Sequence, residues 1–157
     1  MSIQKAKAYL SQFGIEDRVM EFSVSSATVE LAAQAAGVIP ARIAKTLSFK
    51  TARGCMLIVA AGDARIDNKK FKDKFEFKAK MLSGDDVLDL VGYPIGGVCP
   101  FGVSKDIPVY LDISMQRFNS VFPAVGSANS AVELNLEELY TYSNAVEWID
   151  VCKLPQL

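Results

Sequence analysis

The stretch KTLSFKTARGCMLIVAA, residues 45–61, decides the fold. Residues 45–50 read as a strand with Leu47 and Phe49 on one face, because side chains alternate across a strand. Thr51, Ala52, Arg53 and Gly54 form a hairpin-turn candidate. Residues 55–60 are a continuous apolar run, the pattern of a strand covered on both faces. Such a strand needs layers above and below it, so the segments on either side must supply helices.

They do. Residues 2–13 carry an apolar stripe of Ala6, Leu10 and Phe13, with Gly14 as a stop. Residues 28–36 place Val29, Ala32, Ala33 and Ala36 on one face; Ser26 or Thr28 caps the helix and Gly37 ends it. Pro40 opens a short helical turn. Asp67 caps a helix bearing Phe71 and Phe75, and Ser83 with Asp86 caps another that stops at Gly92. Asn135 caps a last helix through Tyr140. Short strands are expected at residues 19–22, 78–82, 109–113, 132–134 and 146–151, with a helical turn over residues 114–119. The irregular order of helices and strands predicts an α/β fold of mixed α+β type: a central mixed sheet of short strands, surrounded by helices, in one domain over residues 1–157.

Two features bear on chemistry. Lys45 is a single cation in an otherwise apolar, strand-like run. Residues 92–102, GYPIGGVCPFG, hold Gly92, Gly96, Gly97 and Gly102 beside Pro94 and Pro100, too many breakers for a helix or a regular strand. Glycine exposes backbone N–H and C=O groups at close range. The loop is neither GxGxxG nor a P-loop, and on pattern alone it reads equally as a structural Ω-loop.

The chain has no histidine, which excludes Ser-His-Asp and Cys-His nucleophile systems and His-ligated zinc. Its cysteines, Cys55, Cys99 and Cys152, are odd in number and lack CxxC spacing, so neither a disulfide framework nor a cysteine metal site is expected. The absence of a signal-like or membrane-spanning run makes a cytoplasmic setting the expectation. Net charge is −1, so bulk electrostatics names no partner. The distribution is more informative: Lys69, Lys70, Lys72 and Lys74 crowd one segment, whereas residues 130–150 carry acids and no base. The basic segment is a candidate phosphate-facing surface, or else a solvated helix face.

Residues 45–47 (KTL), 92–102, 126–134 (GSANSAVEL) and 26–38 (SATVELAAQAAGV) together resemble the YbaK/EbsC family, in the family's order and over most of the chain. The family includes free-standing aminoacyl-tRNA deacylases and the editing insertion domain of bacterial prolyl-tRNA synthetases. The resemblance implies a deacylase that edits mischarged tRNA in trans, tRNA(Pro) foremost, without metal or cofactor. It assigns Lys45, Gly96 and Gly97 to catalysis. It places Phe22, Thr46, Val98, Cys99, Pro100, Gly126, Ser127, Ala128 and Asn129 around the substrate. Lys69, Lys70, Lys72 and Lys74 would then meet the tRNA backbone, by a contact that does not depend on sequence. Aminoacyl-tRNA is the implied partner, with a synthetase as a further one; neither DNA nor a membrane is expected. Some members carry a histidine in the segment matched by Ala128 and Asn129, and others an aspartate close to Ala131. This chain has neither, which leaves its amino-acid specificity open. The same residues also fit a non-catalytic module that binds an amino acid, a tRNA end or a synthetase.

Overall fold

The hairpin of residues 45–61 is the centre of the computed structural model, which describes residues 2–155. In chain order the elements are α1 (Ser2–Ser11), β1 (Met20–Glu21), α2 (Val29–Ala36), β2 (Ile43–Thr51), β3 (Gly54–Ala61) and β4 (Arg65–Ile66). There follow α3 (Asn68–Phe75), α4 (Gly84–Val91), β5 (Val109–Asp112), β6 (Ser120–Pro123), β7 (Ser130–Ala131) and β8 (Leu134–Asn135). The chain closes with α5 (Leu136–Tyr142), β9 (Trp148–Ile149) and β10 (Cys152–Lys153). Short 3₁₀ turns stand at Glu16–Arg18, Pro40–Arg42 and Ile113–Arg117. Met1, Gln156 and Leu157, part of the expected single domain, lie outside the described residues.

β2 and β3 pair antiparallel from Thr51↔Gly54 to Ala44↔Ala61. They sit at the middle of a six-stranded sheet of order β8-β6-β2-β3-β5-β9. β6 runs parallel to β2, and β5 parallel to β3. This explains the unbroken apolar run: β3 has a neighbour on each edge, and Leu57, Ile58, Val59, Ala60 and Ala61 are all fully buried. Burying each larger side chain there contributes about 1.5–3 kcal/mol. Phe71 of α3 packs on Phe49, with ring centroids 5.1 Å apart. Asp112, at the end of β5, is a buried carboxylate; it accepts from the backbone N–H groups of Ser114 and Val151, each at 2.9 Å, and ties the chain's last strands to the sheet.

The mixed α/β architecture is as the sequence predicts, and the caps fall where expected. Thr28 accepts from Leu31 N at 3.1 Å, Asp67 from Lys69 N and Lys70 N, and Ser83 from Asp86 N. Asn135 and Glu138 form a reciprocal capping box. The extended segments differ more. Residues 78–82 are not a strand; they make one bridge, Phe49↔Met81, at an end of β2. The expected strand at 132–134 is two short ladders, β7 and β8, because Val132 N donates to Pro123 O between them. β7 pairs with β1 outside the main sheet. The closing segment divides likewise: β9 extends the sheet, whereas β10 pairs with β4. β4 and β6 have no counterpart in the sequence reading. Among the described residues, no helix is long and apolar enough to cross a membrane.

Candidate active site

Four distant segments enclose a cavity of about 240 Å³. β2 contributes Ala44, Lys45, Thr46 and Ser48; the start of α2 contributes Ser26, Thr28, Val29 and Ala32; the glycine-rich loop contributes Ile95, Gly96 and Val98. The fourth wall is Phe122, Ala124, Ser130 and Ala131, with Met81, Leu82 and Val87 beside them. The parallel pairing of Ile43 and Ala44 with Phe122 and Pro123 brings the fourth wall to β2. Backbone bonds close it to the segment before α2: Ser26 N donates to Ala128 O at 2.6 Å, and Phe22 N to Asn129 O at 2.7 Å. The Asn129 side chain returns a bond to Phe22 O at 3.1 Å.

Lys45 is half-buried at this cavity. Its ammonium donates to the carbonyls of Ala64 and, at 3.2 Å, Gly62, just past the end of β3. No carboxylate pairs with it among the described residues. Asp63 lies between the two acceptors in sequence but is engaged by Arg117 at 2.6 Å, which holds its carboxyl below the usual range. Burial holds the Lys45 ammonium below the ordinary lysine value. An ammonium has three N–H donors, and two carbonyls leave one for a ligand. The result is an anchored, uncompensated cation on the wall of a mainly apolar cavity.

Of the residues expected at the site, Lys45, Thr46, Gly96 and Val98 come together around this cavity. Gly97 does not line it. A Cβ on Gly97 would stand 2.6 Å from Ser127 N and 2.8 Å from Gly126 C, so this glycine lets the loop lie directly against the fourth wall. Gly96, at φ 90°, faces Ala27 and Ala128 in the same way, with an added Cβ 3.1 Å from the Ala27 Cβ. Gly126, Ser127, Ala128, Asn129 and Phe22 form the scaffold behind the cavity: the Ser127 hydroxyl donates to Ser130 Oγ at 2.8 Å, and Ser130 Oγ accepts from Val125 N.

Pro100 lines a separate cavity behind the loop, with Tyr9 and Phe13. Cys99 lines neither cavity; it is fully buried, close to Tyr93 and Phe101, and burial pushes its thiol up to about 12. A thiol so held is a packing group and not a thiolate nucleophile. Cys99→Ala is therefore expected to keep any activity of the first cavity within about threefold, at a stability cost of about 1 kcal/mol for the small void. An initial-rate assay on the folded variant checks this; loss of turnover would return the thiol to the mechanism.

The lysines are not free. Lys70 pairs with Asp150 at 3.0 Å and donates to Cys152 O; Lys74 pairs with Glu147 at 3.1 Å; Lys69 stands 4.0 Å from Asp73. The acidic end of the chain lies over the basic helix, leaving Lys72 as the member of the group outside these pairs. Changing Lys69, Lys70, Lys72 and Lys74 to Gln is expected to shift the log–log salt slope of binding to any nucleic acid by about one unit or less. A fall of about three units would restore the whole cluster as a phosphate-binding surface.

The sequence reading missed Ser26 as a wall residue, having weighed it as a cap, and it missed Phe122, whose strand has no local signature. Among the described residues, no group of three or more His, Cys, Asp or Glu is placed to hold a metal ion.

Residues 24–142 match the aminoacyl-tRNA editing domain family. The chain is 54% identical over 154 residues, 98% of each chain, to the uncharacterized protein YwhH of Bacillus subtilis (strain 168). It is 29% identical over 119 residues, 74% of this chain and 73% of the other, to EbsC of Enterococcus faecalis, named as a proposed Cys-tRNA(Pro)/Cys-tRNA(Cys) deacylase. The solved structure of a proposed trans-editing enzyme for prolyl-tRNA synthetase superposes with a TM-score of 0.87 at 27% identity, covering 97% of each chain.

Proposed function

The chain belongs to the aminoacyl-tRNA editing domain family, and from that premise we propose that it hydrolyses the ester of mischarged tRNA in trans, tRNA(Pro) foremost. The observation that carries this is the anchored Lys45 ammonium on the wall of a cavity that also takes in Thr46, Gly96 and Val98. At about 240 Å³ the cavity has room for an aminoacyl group. The terminal adenosine then rests at the mouth, against exposed Met81 and Ile95.

An aminoacyl ester is already activated, so positioning supplies much of the catalysis. Water attacks the carbonyl carbon, the bond to the ribose oxygen breaks, and the products are the free amino acid and tRNA with its terminal hydroxyl restored. Lys45 stabilises negative charge that develops on the ester or holds the adjacent phosphate. Backbone groups of the Gly96 segment orient the acyl group. With no imidazole in the chain, the proton passes through water or the neighbouring ribose hydroxyl of the substrate.

The test is a deacylation panel on tRNA(Pro) charged with several amino acids. Turnover of at least one mischarged species supports the reading. Tight binding of the charged end with no turnover would favour the non-catalytic module.

A further inference from the structure

β10 and β4 pair antiparallel with Lys153 directly opposite Arg65 and Cys152 opposite Ile66. Side chains directly opposite one another share a face of the ladder. Cys152 is buried and Ile66 half-buried, so that pair faces inward; Arg65 and Lys153 are exposed and stand together on the outer face. Like charges in this position repel. Among the described residues neither joins an ion pair. The acids nearby in the chain are committed elsewhere. Both terminal nitrogens of Arg117 grip Asp63, at 2.6 and 3.1 Å. Asp150 pairs with Lys70 at 3.0 Å. Asp67 caps α3, accepting from Lys69 N at 3.0 Å and Lys70 N at 3.1 Å; the Lys70 bond above all holds its carboxyl below the usual range, and the Lys153 charge adds to this. The pair also adjoins the cavity. The Lys45 ammonium donates to the Ala64 carbonyl, and Arg65 is the next residue. Burial is the main reason that this ammonium lies below the ordinary lysine value, and the Arg65 guanidinium pushes it the same way, so the two cations lie within each other's field.

We propose that Arg65 and Lys153 form a phosphate-binding handle for the RNA backbone next to the charged end, a statement that rests on the reading of the ligand as aminoacyl-tRNA. The ester lies at Lys45, and the first phosphates of the acceptor end cross the ladder of β4 and β10. The guanidinium offers a planar fork of N–H donors to one phosphate, and the ammonium neutralises the same group or the one beside it. A bound phosphate replaces repulsion between the two cations with attraction to a shared anion. The contact positions the RNA and reads no base. It supplies what α3 does not, because the lysines of α3 are largely matched by the acids laid over them.

The test is the binding of uncharged tRNA across a range of salt concentrations. Wild type is compared with an Arg65→Gln/Lys153→Gln variant and with the variant that changes Lys69, Lys70, Lys72 and Lys74 to Gln. The Arg65→Gln/Lys153→Gln protein is expected to bind about tenfold more weakly at low salt, with a log–log slope shallower by about one and a half to two units; the α3 variant shifts it by about one or less. In deacylation assays the loss falls on KM more than on kcat, because such a contact holds substrate and transition state alike. Removing the like charges removes their repulsion, so the melting temperature of the double variant should hold or rise at low salt, with any gain fading at high salt. A fall of several degrees would mean that these side chains are bound within the protein and would overturn the proposal. So would an unchanged slope, including the case in which the variant keeps tRNA but loses a synthetase, which would make the ladder a protein-docking surface. Weakened binding of uncharged tRNA, with no turnover by wild type on any charged species, removes the deacylase reading and leaves the handle; turnover with an unchanged slope removes the handle alone.

Discussion

Lys45→Ala is expected to slow single-turnover deacylation by about 10²–10³-fold in a protein that remains folded, the usual effect of losing one preorganised electrostatic contact. The Lys45 ammonium is held by two backbone carbonyls and paired with no carboxylate among the described residues, and Lys45 lines the cavity. Its removal has two opposed effects on stability. The fully buried Ala64 loses the hydrogen-bond donor to its carbonyl, which costs about 1–3 kcal/mol. A desolvated charge also disappears, which offsets part of that. Burial lowers the folded-state pKa of Lys45. Between that value and the unfolded one, the unfolded chain binds a proton that the folded protein lacks, so wild type gains stability relative to the variant as pH rises through this window. Paired rate and melting measurements check both parts. A folded Lys45→Ala protein with wild-type turnover would remove Lys45 from the mechanism.

Gly97→Val is expected to unsettle the fold and the activity together. The sequence alone suggests that bulk here would obstruct the substrate and spare stability. The geometry gives a different cause. The atoms that a side chain would meet, at 2.6–2.8 Å, are the backbone of Ser127 and Gly126, which cannot rotate out of the way. The loop would have to lift from the fourth wall, a strain of about 1–3 kcal/mol or more for valine. In a protein of this size that lowers the melting temperature by about 2–12 °C. Deacylation falls with it, because Gly96 and Val98 move with the loop. An unchanged melting curve with lost activity would show that Gly97 meets the substrate after all.

The local features of this fold were legible. The buried run of β3 announces itself through its unbroken apolar character, and Thr28, Asp67, Ser83 and Asn135 announce helix starts because a cap is a bond across two or three residues. What was not legible depends on distant partners. β4, β6, β7 and β8 are ladders of two to four residues whose existence is set by the strand opposite. Residues 78–82 looked like a strand, yet they meet β2 through one bridge only. The same division runs through the site. Lys45, Thr46, Gly96 and Val98 were expected from their motifs, and they line one cavity. Ser26 carries a motif of another kind, a capping serine, and only the nearer Thr28 taking that role frees it for the cavity. Both halves of the charge pattern were visible, the lysines near residue 70 and the acids near residue 150, but not that the fold would lay one upon the other.

That superposition governs how the protein meets a polyanion. A helix whose lysines are already matched by Glu147 and Asp150 projects little long-range pull. On the proposed function, encounter with tRNA is expected at about 10⁵–10⁶ M⁻¹s⁻¹, not at the about 10⁸–10⁹ M⁻¹s⁻¹ that steering allows. With few unpaired lysines, this helix is expected to add little to the ionic-strength dependence of binding. A molecule built this way samples the tRNA pool without sequestering it.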